Sequence, residues 1–279
     1  MTAYADKVFS FEFSAPRSEE ATAKLLDVHE RLLKEASPEF FSVTYGAGGS
    51  TKDGTKGAVL KLNSLGTDVA PHLSFGSDSE EKIEDLINEY KDAGVSRVVA
   101  LRGDAPSGTG RSHSRYAADL VRFIREKTGD HFSIEVGCYP EIHPDSESVD
   151  FDLRYFKEKV DAGANSAITQ YFFNPDAYFR YVDSAQKLGV DIPIVPGIMP
   201  ITNYKNLVRF SDNCGAEIPR WIRKHLESYG DDADATKQFA TETVSDLCRK
   251  LLDGGAPGLH FYTLNQSLPA LRIWRNLGL

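Results

Sequence analysis

Cysteine, tryptophan and methionine are scarce in this 279-residue chain, at three, two and two residues. Cys138, Cys214 and Cys248 are too few and too scattered for a disulfide framework, and no CxxC pair offers a zinc or redox site. Positive charge is also in deficit: 32 Lys and Arg stand against 41 Asp and Glu, a formal net charge of −9. That balance excludes a nucleic-acid binder whose affinity rests on neutralising phosphates. No apolar run approaches the roughly 18 residues of a membrane span, and the start MTAYADKVFSFEF has no basic region followed by an apolar one, so a cytoplasmic protein with no membrane partner is expected. The seven His are dispersed, with no HExxH and no His-carboxylate pair at helical spacing, so no metal is expected. A GxSxG elbow is missing too. Gly46-Ala-Gly-Gly-Ser-Thr51 follows a strand pattern but lacks both the Walker ending and the GxGxxG spacing.

What is present is a regular alternation. Short apolar runs rich in β-branched and aromatic residues predict strands at 7–13, 40–45, 69–75, 97–102, 132–138, 166–172, 192–198 and 259–264. Amphipathic stretches predict helices at 18–35, 79–92, 114–127, 151–161 and 175–188, with Ser18, Glu19 and Glu20 supplying a cap and a favourable first-turn charge. Asp92-Ala-Gly94, Asp161-Ala-Gly163 and Leu188-Gly189 are stop signals for helices that turn back into strands. Strict alternation implies parallel strands with right-handed crossovers, and eight repeats close such a sheet. The expected fold is therefore α/β, a (β/α)8 TIM barrel, with extra helices at 203–213, 216–229 and 233–253 before the last strand. One domain spanning 1–279 is expected.

In such a barrel the site is built at the carboxyl ends of the strands. Polar residues collect there: Glu12, Thr44, His72, Arg102-Gly103-Asp104, Tyr139 with Glu141 and His143, and Gln170. Polar side chains on interior strand positions are costly unless paired, so their clustering favours a site over chance polarity.

These segments carry a family pattern. Phe9-Ser-Phe-Glu-Phe13 with Pro16-Arg17, Ser42-Val-Thr-Tyr-Gly-Ala47, Ala70-Pro-His-Leu73, Ala100-Leu-Arg-Gly-Asp104 and Tyr139-Pro-Glu-Ile-His-Pro144 are followed by Asp161-Ala-Gly-Ala-Asn-Ser-Ala-Ile-Thr-Gln170, Pro196-Gly-Ile-Met-Pro200 and Phe261-Tyr-Thr-Leu-Asn265. The ordered set resembles methylenetetrahydrofolate reductase, of the bacterial type with the catalytic barrel only, along essentially the whole chain. The resemblance implies a flavoprotein that uses FAD to pass a hydride from NADH or NADPH to 5,10-methylenetetrahydrofolate. The product is 5-methyltetrahydrofolate, made in a ping-pong scheme that feeds methionine synthesis. It implies a homo-oligomer, dimer or tetramer, and no control by adenosylmethionine, because the pattern stops with the catalytic domain.

Roles follow by resemblance, residue by residue. Glu12 would be the acid that protonates the folate so that its imidazolidine ring opens to an iminium; read alone it is more often an ion-paired barrel Glu. Asp104 would lie by flavin and pterin as a fixed negative charge, where the residue alone suggests a helix or turn cap. Gln170 would bind the pterin edge, since an amide offers donor and acceptor. Phe210 would stack on a substrate, although its position also suits a core helix, and Tyr262 would contact substrate. The matching FAD positions are Thr44, His72, Arg102, Gly103, Asp104, Tyr116, Ala117, Tyr139, His143, Asp152 and Lys159. Of these, Arg102 and Lys159 are placed to neutralise a pyrophosphate. Lys159 alone reads as a solvated residue. Gln266 stands where many members have Arg, which leaves Arg272 and Arg275 as substitutes for a contact with the folate tail. The polar, glycine-rich 107–115 segment is expected to form a mobile loop near the FAD. The rival expectations are another flavin barrel, akin to proline dehydrogenase, and a non-catalytic ligand-binding barrel.

Overall fold

The computed structural model describes residues 4–45, 51–76, 78–102, 115–230 and 232–279. Strand β1 (Val8–Phe13) sets the frame through its alternation. Phe9, Phe11 and Phe13 join the main apolar core, Phe11 meeting Trp274 and Phe13 meeting His29 on flanking helices. Ser10 and Glu12 are left to the opposite face.

The chain continues α1 (Glu19–Ala36), β2 (Phe40–Val43), α2 (Lys52–Ser64), β3 (Val69–Leu73), α3 (Glu80–Asp92), β4 (Arg97–Ala100), α4 (Ala117–Thr128), β5 (Ser133–Cys138), α5 (Val149–Asp161), β6 (Ser166–Thr169) and α6 (Pro175–Lys187). It ends with β7 (Ile194–Val195), β8 (Gly197–Ile198), α7 (Tyr204–Cys214), α8 (Arg220–Tyr229), α9 (Ala233–Asp253), β9 (Gly258–Tyr262) and α10 (Ser267–Asn276). All strand pairs are parallel, in the order β7-β6-β5-β4-β3-β2-β1-β9-β8. The expected seventh strand is thus two short pieces either side of Pro196, which has no N–H to give a ladder. One piece pairs with β6 and the other with β9, so the sheet nearly closes into the TIM-barrel-like fold that the alternation predicts.

Helix α1 begins where the sequence signals it, whereas α5 begins two residues before its expected start and α4 and α8 three and four residues after theirs. Ser18 Oγ accepts the Ala21 N–H at 3.1 Å and Ser148 Oγ that of Phe151 at 3.3 Å, and caps of this kind contribute about 1 kcal/mol each. The stop signals at Gly94 and Gly189 take φ of +83° and +79°, the left-handed backbone that glycine enters cheaply. Two helices escape the sequence reading. α2 carries Gly54 and Gly57 in a weakly amphipathic stretch, yet Gly54 is required because a Cβ there would overlap the Pro16 carbonyl oxygen. α10 carries Pro269, tolerated because it lies in the first turn.

Several strands end two or three residues before their expected limits. The ladder still extends past the assigned ends: the N–H of Thr44 donates to Phe13 O at 2.9 Å and that of Gln170 to Cys138 O at 2.7 Å. Inside the barrel, Phe40, Ala70, Val99 and Ile168 form a small apolar layer, with Leu101 and Tyr262 against it. At the amino ends of the strands Arg97 binds Glu135 at 2.8 Å and Glu39 at 2.7 Å, with its guanidinium 4.4 Å from the Phe40 ring centroid. Buried Glu135 is thereby paired, as a carboxylate 2% exposed must be.

Candidate active site at the carboxyl ends of the strands

Ladder register brings Glu12 beside Ser42 of β2 and Tyr262 of β9, with Ser10 beside His260 two residues earlier. The Glu12 side chain is 16% exposed. Its Oε2 lies 3.3 Å from His72 Nε2 of β3 and 3.5 Å from His260 Nε2. Neither contact is aligned as a hydrogen bond, so both Nε2 atoms are buried without a hydrogen-bond partner among the described residues. His260 is 0% exposed and anchored behind, Nδ1 to Ser10 Oγ at 2.7 Å. Burial pulls the His72 pKa below the ordinary value, against the opposing pull of Glu12. Burial thus favours the neutral form of the imidazole that faces the carboxyl.

Tyr262 stands opposite Glu12 on the β1–β9 ladder. Its hydroxyl donates to Thr169 O at 2.6 Å, bridging β9 to β6, and burial followed by the nearby Glu12 charge drives its pKa well upward. The ring passes so close to Gly197 that a Cβ there would lie 2.6 Å from Tyr262 Oη. Beyond β9, Leu264 and Asn265 both adopt left-handed backbone, with φ of 49° and 55°. Asn265 is held there by two bonds to Ser14: its Nδ2 donates to Ser14 O and its Oδ1 accepts the Ser14 N–H, each at 2.9 Å. Strain of this kind persists where surrounding bonds over-determine it.

A second group gathers after β4 and β5. Arg102 donates to Asp145 Oδ2 at 2.5 Å, the Asp145 N–H to His143 Nδ1 at 3.0 Å, and the His143 N–H to Asp152 Oδ2 at 3.3 Å. Tyr139 meets the His143 ring edge-on at 4.5 Å. Lys159, two turns along α5 from Asp152, reaches the Gly137 carbonyl at 2.5 Å. Burial lowers the Lys159 pKa, opposed by Cys138 and Asp152. Burial likewise raises Asp152, opposed by Lys159, and pushes the Cys138 thiol up to about 12. His143 is lowered by burial and then by Arg102. Lys159 is thus a partly buried cation and not the solvated residue that its sequence position alone suggests.

The remaining predicted residues fall at different distances from these two groups. Gln170 shares a small cleft with Tyr139, Glu141 and the end of α7, and its Oε1 accepts the Tyr171 N–H at 3.0 Å. Thr44 Oγ1 accepts the Ala15 N–H at 3.1 Å, tying the β2 end to the loop after β1. Tyr116 caps α4, exposed and stacked on Tyr155 at 5.0 Å, with Ala117 buried behind it. Phe210 packs partly against the main core from α7, with the Arg209 guanidinium 5.0 Å from its centroid. Gly103 and Asp104, like most of the 107–115 segment, lie outside the described residues. Arg272 and Arg275 do not join the site: they line an outer groove with Asp234, Lys237 and Glu242 of α9, and Arg275 pairs with Glu35. The turn spacing of α10 carries both arginines away from its start at the barrel mouth. His260 was missed by sequence reasoning. Its signal was present, two residues before Tyr262 on the same strand face.

A family model described as methylenetetrahydrofolate reductase matches residues 1–278. The 5,10-methylenetetrahydrofolate reductase of Escherichia coli (strain K12) is 37% identical over 270 residues, 96% of this chain and 90% of that protein. The probable methylenetetrahydrofolate reductase (NADH) of Oryza sativa subsp. japonica is 39% identical over 287 residues, 98% of this chain but 48% of the relative. The chain therefore spans about half the length of the plant relatives it matches. Among solved structures, an uncharacterized protein from Clostridium thermocellum that binds two copies of 5-methyl-5,6,7,8-tetrahydrofolic acid superposes with a TM-score of 0.71 at 16% identity, over 99% of this chain and 97% of that one. At that identity the likeness is one of fold.

Proposed function

The chain belongs to the methylenetetrahydrofolate reductase family, and from that premise we propose that it reduces 5,10-methylenetetrahydrofolate to 5-methyltetrahydrofolate with electrons from NADH or NADPH. One observation carries the proposal: a carboxyl at the mouth of the barrel, Glu12, braced by two imidazoles where an acid has to meet a substrate. FAD, when bound, supplies the hydride relay between nicotinamide and folate in two successive half-reactions. The whole chain then acts as one FAD-binding barrel domain, in the cytoplasm, as a dimer or tetramer, and its product serves methionine synthesis.

The residues present suit that cofactor. Lys159 is a partly buried cation whose charged form burial disfavours, so a neighbouring diphosphate would restore it, and Arg102 adds a second cation beside the same helix. Asp152 and His143, already joined, offer an acceptor and a ring nitrogen for ribose hydroxyls. Tyr116 and Ala117 stand at the start of α4, and Tyr139, Thr44 and His72 at the strand ends, with Gly103 and Asp104 completing the set by family resemblance.

In the proposed reaction Glu12 holds a proton at its carboxyl and delivers it to the folate, opening the imidazolidine ring to a cation that accepts hydride. Gln170 offers its amide to the pterin edge, while Tyr262 and Phe210 flank the substrate, and Asp104 supplies a fixed negative charge that favours the cation. A binding barrel without chemistry has no use for an acid beside the cofactor. Purified protein should be yellow, with a flavin absorption spectrum, and should consume methylenetetrahydrofolate with a reduced nicotinamide. A colourless preparation that FAD cannot reconstitute would sink the proposal.

A further inference from the structure

His260 has no part in the reaction as set out above, yet it is fully buried, and burying an imidazole with an unmatched ring nitrogen costs stability. Barrel interiors are ordinarily filled by branched apolar side chains. Here the rungs shared by β1 and β9 instead carry Ser10 opposite His260 and Glu12 opposite Tyr262. We propose that His260 is a positioning residue for Glu12, holding Oε2 through Nε2 while Ser10 anchors Nδ1 from behind.

The geometry supports this in three ways. His72 and His260 come from different strands, β3 and β9, and address the same carboxyl oxygen, Oε2. A carboxyl flanked at one oxygen by imidazoles from two sides has the other oxygen left to face substrate, as an acid aimed at a single substrate nitrogen requires. Tyr262, the polar neighbour opposite Glu12 on β9, has its hydroxyl committed to Thr169 O and is not free to hold the carboxyl. The 2.7 Å contact between Ser10 and His260 fixes the ring in either tautomer, because a hydroxyl both donates and accepts. Separations of 3.3 and 3.5 Å bring both Nε2 atoms into ion-pair range of Oε2.

The inference rests on the proposed function, and a pair of variants tests it. His260→Gln keeps an amide within reach of Glu12, whereas His260→Asn keeps only the side facing Ser10. With flavin-loaded protein in stopped flow, His260→Asn should slow the folate half-reaction by about 10- to 100-fold in its limiting rate, with the folate concentration for half-maximal rate changed less than about twofold. His260→Gln should recover most of that loss, Ser10→Ala should show an intermediate one, and flavin reduction by nicotinamide should hold in all three as a check on folding. A His260→Asn enzyme as fast as the parent, or a Gln variant as slow as the Asn one, overturns the assignment. If the parent itself leaves methylenetetrahydrofolate unreduced, the proposed function fails and not His260. Difference infrared spectroscopy then decides the positioning, with the Glu12 carboxyl band assigned through Glu12→Gln. That band should move in the Asn variant and hold in the Gln variant, and a band unmoved in both overturns the assignment.

Discussion

Replacing Gly197 by Ala should be among the most damaging single-methyl additions in the barrel. The new Cβ would overlap the Thr169 carbonyl oxygen and stand 2.6 Å from Tyr262 Oη and 2.7 Å from Tyr262 Cε2. Those two obstacles are themselves tied together, because Tyr262 donates to that same carbonyl at 2.6 Å. The Gly197 N–H is also bound to Thr169 Oγ1 at 2.9 Å, so the β8 backbone cannot retreat freely. Overpacking of this kind costs about 1–3 kcal/mol. A Tyr262 hydroxyl driven off Thr169 into a buried setting costs about 1–3 kcal/mol more. The combined loss, about 2–6 kcal/mol, is large against the roughly 5–15 kcal/mol that holds a domain folded. Urea unfolding followed by circular dichroism should show a lower midpoint at an unchanged slope. Tyr262→Phe alone should cost only the hydrogen-bond share. In the double variant the two costs should sum to less than the separate losses, since one change removes an atom that the other strikes. A Gly197→Ala protein within about 0.5 kcal/mol of the parent would refute the packing argument.

Other outcomes follow from the second group and the core. Lys159→Met should weaken FAD binding by roughly 10- to 100-fold, the worth of one charge-assisted bond, as read by flavin fluorescence titration; undiminished affinity would remove Lys159 from the cofactor site. His29 is buried, in contact with Thr67 Oγ1 at 2.8 Å, and burial lowers its pKa from the ordinary 6.5. The unfolded chain therefore takes up that proton first as pH falls, and the stability gained by keeping the ring neutral is lost below about pH 6.5. Between pH 7 and 5, His29→Gln should accordingly lose stability less steeply than the parent, by at most about 1.4 kcal/mol per pH unit; parallel curves would contradict the assignment.

The barrel was legible because its signals are local. Ser18 caps a helix, glycines stop several, and the alternation Phe9, Phe11, Phe13 against Ser10, Glu12 sorts β1 into two faces. α2 was not legible, because its glycines weaken the helical pattern and Gly54 makes sense only beside Pro16. The break at Pro196 was readable as a missing N–H but not as the point where two short strands close the sheet. For the site, attention to strand ends singled out Glu12 and His72, and the family resemblance Tyr262, but both passed over His260, whose Nε2 lies 3.5 Å from Glu12 Oε2 from a position two residues earlier on the ladder. Arg272 and Arg275 illustrate the converse. Nearness in sequence to the site says little once a helix carries the residues away along the barrel wall.

Stopped-flow comparison of the two half-reactions in Glu12→Gln tests the assignment of the acid most directly. Nicotinamide should still reduce the flavin, and methylenetetrahydrofolate should no longer reoxidise it, because hydride has no cation to receive it until a proton opens the folate ring. Equal loss in both half-reactions, or a Glu12→Gln protein that reoxidises with the folate at the parental rate, would contradict the role given to Glu12.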